Sequence, residues 1–151
     1  MKRIVLVVVL LFVVEANAAC FTGTVTRVID GDTIVVGTNI VRLAEIDAPE
    51  IKTEYGPKAK AALEGMISNK VVVVKWSKRG RYRRIIGYVY LHGGSFEHKV
   101  TKERKCERMS VNFWMVEQGW AWQFKRYSKS KALAVAEQTA REKGRILPVT
   151  L

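Results

Sequence analysis

Cysteine is nearly absent from the 151-residue chain, which holds only Cys20 and Cys106. Two thiolates cannot complete a tetrahedral zinc site by themselves. Internal repeats and low-complexity tracts are absent too, which sets aside repeat architectures. The one long apolar run, Ile4–Val14, has eleven residues, where a membrane-spanning helix needs about 20. Acidic residues are the minority: 14 Asp and Glu face 26 Lys and Arg, a net charge of +12. That balance points to polyanionic partners, either nucleic acid or an anionic membrane surface. An apolar content of 48% excludes a disordered chain, and the length suits one domain with its own core.

The first residues read as a secretory signal peptide. Lys2 and Arg3 form a positive start, the apolar run comes next, and Ala16-Asn17-Ala18 offers a small-x-small cleavage site. Cleavage after Ala18 would place Ala19 at the N-terminus of a domain covering 19–151. Export to the periplasm or the medium is the expectation. A lipoprotein reading exists because Cys20 lies just beyond the run, but Asn17, three residues before it, is not aliphatic. In an oxidising compartment Cys20 and Cys106 could pair, a long loop closure worth roughly 4–5 kcal/mol at most in the chain-entropy model.

Thr22–Ile29 and Thr33–Val36 read as a hairpin, because the Asp-Gly pair of "VIDGDTIVV" lies between β-branched residues. Ile40–Ile46 reads as a third strand, Val71–Trp76 as a fourth buried on both faces, and Arg84–Leu91 as a fifth. A helix opens at Tyr55-Gly56-Pro57, with Ala59, Ala62, Leu63, Met66 and Ile67 on one face. Val111–Gln118 reads as a short helix. A last helix covers Lys129–Lys143, capped by Ser128, with Ala132, Val135, Ala136, Thr139 and Ala140 facing inward. Residues 92–110, polar and charged, read as an extended loop. The expected fold is α+β: a five-stranded OB-type β-barrel with about three helices.

Asp32 comes directly after the hairpin glycine, while Asp47 and Glu50 leave the third strand together around Pro49. Carboxylates brought together repel and raise each other's pKa unless a cation lies between them. Hard oxygen ligands without Cys or His nearby favour calcium or magnesium over zinc. For each acid a solvated turn is the plain alternative. Arg42 sits inside a β-branched strand, where its stem could simply cover a barrel rim. "KWSKRGRYRRIIG" interleaves Lys75, Lys78, Arg79, Arg81, Arg83 and Arg84 with Tyr82, a pattern suited to a phosphate backbone and a stacked base or to a solvated loop.

Taken in order, "DGDT", "RLAEIDAPE", "YGPKA", "RYRRIIGYVY" and "VNFWMVEQGWAW" resemble the staphylococcal nuclease family, from about Val25 to Leu147. The resemblance implies an OB barrel with three helices. It implies one Ca²⁺ ion held by Asp32, Asp47 and the backbone carbonyl of Ala48, where the family often has threonine. It implies Glu50 as the general base, Arg42 and Arg84 as the phosphate clamp, and Tyr82 and Trp122 as substrate contacts. Two departures stand out: Gly80 occupies an aspartate position, and Arg83 a glycine position, of the second arginine motif. Strand alternation sends Arg83 and Arg84 to opposite sides, and the spacing to "GYVY" selects Arg84.

The activity that the resemblance implies is calcium-dependent hydrolysis of single-stranded DNA and RNA, with little sequence preference, leaving 3′-phosphate ends. No stable protein partner is implied, and a monomer is expected. Two other classes compete: a non-catalytic OB-fold single-strand-binding protein, and an anchored protein at a membrane surface. A mere binder has no use for three acids beside a polyanion site, since they would repel the ligand.

Overall fold

The computed structural model describes residues 19–93 and 110–145. The expected signal peptide, Cys106 and most of the 92–110 segment lie outside the described residues. Alternating β-branched residues build β1 (Ala19–Val28), β2 (Thr33–Val36) and β3 (Asn39–Leu43), succeeded by a two-residue strand β4 (Ile46–Asp47). Then come α1 (Gly56–Ile67), β5 (Val71–Arg79), β6 (Ile85–Leu91), α2 (Val111–Glu117), β7 (Trp122–Gln123) and α3 (Lys131–Glu142). The five long strands close into a barrel in the order β1-β2-β3-β6-β5, with β4 and β7 paired separately. This is the expected five-stranded OB-type barrel with three helices. All barrel pairings are antiparallel except β3 with β6, which run parallel with Arg42 opposite Ile86.

Inward side chains of the strands, among them Val25, Ile34, Val41, Val72, Val74 and Val89, fill the barrel. Leu63 and Ile67 of α1, Met115 and Val116 of α2 and Leu133 of α3 belong to the same core. Asn112 fastens α2 to the barrel: its amide oxygen accepts from Val89 N–H, and its amide nitrogen donates to the Ala44 and Gly87 carbonyls. Every side-chain group of this buried amide therefore has a partner, as burial requires.

Three local expectations are corrected. The third strand does not run on to Ile46. Glu45 adopts φ 63, in the left-handed region, and this corner turns Ile46–Asp47 away from the barrel to pair with Trp122–Gln123. β5 is not buried on both faces: Val72 and Val74 point into the barrel, while Val71 is 40% exposed, because a closed barrel has only one inside. The last helix is capped by Ser130, whose hydroxyl accepts from Leu133 N–H at 3.1 Å, rather than by Ser128. Its buried residues are Leu133, Ala136, Glu137 and Ala140, and Val135 faces solvent. Cys20 is exposed and has no disulfide partner among the described residues, and its expected pairing with Cys106 lies outside them. No helix among the described residues is long and apolar enough to cross a membrane.

Candidate active site

The Asp-Gly-Asp turn is locked against the start of α1. A Cβ on Gly31 would lie 2.7 Å from the Ala48 Cβ and 2.9 Å from the Ala59 Cβ, so only glycine permits this approach. Asp30 accepts from Asp32 N–H at 3.0 Å, closing the turn. Asp32, 3% exposed, is thereby held at the mouth of β2. Its Oδ1 accepts from Thr33 Oγ1 at 2.9 Å and from Arg42 Nη1 at 2.6 Å, and its Oδ2 accepts from Ala48 N–H at 3.1 Å. Arg42, paired with Thr33 across the hairpin, extends its other nitrogen, Nη2, to Asp47 Oδ1 at 2.6 Å. One guanidinium thus bridges both aspartates, and Arg42 is more than cover for the barrel rim.

Burial pushes the Asp32 carboxyl up to about 7, against the pull of the neighbouring Arg42. Burial works against the Arg42 charge as well, but Asp32 and Asp47 outweigh it and raise the guanidinium's pKa. Two carboxylates and adjacent backbone oxygens form a hard donor set. The buried carboxylate is incompletely compensated by its arginine, which suits an additional cation. Among the described residues no group of three His, Cys, Asp or Glu side chains is arranged around one point. Asp32 and Asp47 are the carboxylates that could serve a cation here, with the Arg42 guanidinium already lying between them.

Glu50 is exposed, just past Pro49. Its backbone is fixed, because its carbonyl accepts from both Thr53 N–H and Thr53 Oγ1 at 2.8 Å. Gly56, at the head of α1, packs so closely that an added Cβ would fall 2.1 Å from the Glu50 carbonyl oxygen. Arg84 lies on the other side of the β3–β6 seam, at the end of a short turn Arg81–Arg83. Gly80 N–H donates to its carbonyl at 2.7 Å. Arg42 and Arg84 line one cavity of about 650 Å³, together with Lys75, Trp76 and Lys78. Asp32, Asp47 and Glu50 are not among the lining residues; Arg42 joins Asp32 and Asp47 to the cavity, and no contact joins Glu50 to it among the described residues.

Tyr82 projects from the turn with 88% of its surface exposed and does not line the cavity. Trp122 pairs with Asp47 across the β4–β7 ladder and also lies off the cavity wall. The aromatic residues in the wall are Trp76, Tyr88, Phe124 and Tyr127; the last two, edge to face at 4.9 Å, were not singled out by the sequence motifs. A weak signal existed in "QFKRYSK", where aromatics alternate with cations. Glu45 was missed as well. Its carbonyl accepts from Phe124 N–H at 2.9 Å and its carboxylate from Ser128 Oγ at 2.9 Å, which ties the barrel corner to the aromatic segment. The left-handed corner that permits this has no sequence signature in a glutamate.

Comparison with known sequences gives the same direction. Residues 40–147 match the family described as "Staphylococcal nuclease homologue". An "Uncharacterized endonuclease" of Escherichia coli is 34% identical, over 96% of this chain and 88% of its own length. A "Micrococcal nuclease" of Shigella flexneri is 35% identical, over 84% of this chain and 72% of its own. "Protein ParB" of Escherichia coli is 34% identical, over 95% and 81% respectively. With a closed five-stranded barrel, paired aspartates at its mouth and relatives matched along most of their length, the chain belongs to the staphylococcal nuclease family.

Proposed function

We propose that this protein is a calcium-dependent phosphodiesterase that hydrolyses single-stranded DNA and RNA. The observation that carries the reading is the Asp32–Arg42–Asp47 bridge, set beside a cavity that Arg42 and Arg84 line together. Asp32, Asp47 and the Ala48 carbonyl would hold the ion, and a bound divalent cation would draw charge from the non-bridging oxygens of the phosphate. Arg42 keeps N–H groups beyond the two given to the aspartates, and Arg84 brings a second planar fork. Together they neutralise charge that builds on the equatorial oxygens as the nucleophile approaches. Glu50, solvent-facing on a rigid turn, takes a proton from the attacking water. The water oxygen bonds to phosphorus, the bond from phosphorus to the 5′-oxygen breaks, and the 5′-oxygen leaves with a proton from solvent. The phosphate then remains on the 3′ side. Aromatic surface from Phe124 and Tyr127 in the cavity wall suits contact with a base without reading its edge, which supports a broad substrate range.

The test is digestion of single-stranded DNA by the purified protein, with calcium or with a chelator, beside Glu50→Ala. Cutting that needs calcium and falls about a hundredfold or more in the variant is the expected result. Undiminished cutting by the variant would remove Glu50 from the mechanism. Binding without cutting by the wild type would return the protein to the single-strand-binding class.

A further inference from the structure

The β5–β6 connection is crowded with cations. Arg79, Arg81 and Arg84 line the cavity, and Arg83 lies outside it. None of the four is ion-paired with a carboxylate among the described residues. A bulge in β5 adds to this edge: the register passes from Trp76–Gly87 to Lys78–Ile86. The extra residue turns Lys78 onto the outer face with Lys75, so that both line the cavity. Lys78 Nζ then stands 5.9 Å from the Tyr127 ring centre.

The backbone at the tip is the stronger clue. Tyr82 at φ 56 and Arg83 at φ 58 are consecutive residues in the left-handed region, and neither is glycine. Glycine would hold either position without steric cost, so each side chain is kept at the expense of local strain. Both residues are exposed, so neither is retained for the core. Arg79 Nη1 donates to the Arg83 carbonyl at 3.3 Å and holds the tip in shape. A strained arginine and a strained, exposed tyrosine thus stand side by side where a polyanion leaving the cavity would pass.

We infer that Arg83, on the tip it shares with Tyr82, forms a docking rim that grips the phosphodiester backbone of a single strand beyond the nucleotide in the cavity. The inference rests on the nuclease reading of that cavity and goes past it, since Arg83 is not among the residues that line the cavity. The rim makes the protein favour polymers over fragments that only fill the cavity.

The experiment measures binding of a single strand of about 12 nucleotides across a salt series, in chelator so that nothing is cut. Wild type is compared with Arg83→Gly, Arg83→Lys and Arg83→Asn. Arg27→Gln removes an exposed charge beyond the opposite end of β5 and serves as the control. Arg83→Gly is expected to bind several-fold more weakly at low salt. Its slope of log affinity against log salt should be shallower by about 0.7, one phosphate contact on a single strand. It should also melt at a higher temperature, because the strain is relieved. Lysine should restore the slope. Asparagine, uncharged but tolerant of the left-handed region, should not. An Arg83→Gly slope equal to that of wild type, or an equal loss in Arg27→Gln, overturns the rim even if the protein cuts DNA. Failure of wild type to bind any strand in chelator overturns the rim, while the nuclease reading is decided separately by the cutting assay with calcium.

Discussion

Asp32 concentrates the electrostatics of the site in one residue. Its carboxyl titrates at about 7 in the fold against 3.8 as the ordinary value, chiefly because it is buried. The protonated form therefore suits the fold better. Its contribution to stability is fully present below about pH 4 and is lost as the pH rises through about 7. With divalent cations chelated, the melting temperature of the wild type should decline across that window more than that of Asp32→Asn, which has no proton to lose. Parallel profiles for the two proteins would show that Asp32 is not the group responsible. The residue's importance was legible in "DGDT" and "RLAEIDAPE". That Arg42 would lie between Asp32 and Asp47 could not be read, since it depends on the register of the β2–β3 hairpin.

Two glycines of α1 separate site-building from ordinary helix chemistry. A Cβ at Gly56 would strike the Glu50 carbonyl, which is backbone and cannot rotate aside. Gly56→Ala should therefore displace the Glu50 turn, lowering turnover by about a hundredfold and costing about 1–3 kcal/mol of stability. Gly65 has nothing within 4 Å of its would-be Cβ, so Gly65→Ala should leave activity intact and stabilise by roughly 0.5–1 kcal/mol. Thermal melts and a nuclease assay on the pair check both statements; Gly56→Ala behaving like Gly65→Ala would deny the packing role. Elements with strong local signals were legible: the Asp-Gly hairpin, the helix opening at Gly56-Pro57, and the short helix from Val111. Those set by tertiary contacts were not. Ser128 resembles a cap in sequence, but its hydroxyl bonds Glu45 and accepts from Gln123, so Ser130 caps α3 instead. The β5 bulge and the Glu45 corner are likewise fixed by neighbours far along the chain.

On the scale of the whole molecule the net charge of +12 sets how substrate arrives. Electrostatic attraction to a polyanion weakens as salt displaces the released counter-ions. The kcat/KM on single-stranded DNA should fall by at least about tenfold between about 50 and 200 mM salt at fixed pH and calcium. A rate indifferent to salt would assign the charge to something other than substrate capture. The barrel's one parallel pairing joins β3 to β6, and Arg42 and Arg84 are brought to one cavity across that seam. Between them in sequence lie α1 and all of β5. A chain unfinished in synthesis therefore keeps its two arginines apart and lacks the cavity they line together. The join that closes the barrel is also the one that assembles the site, so the site exists only in the folded chain.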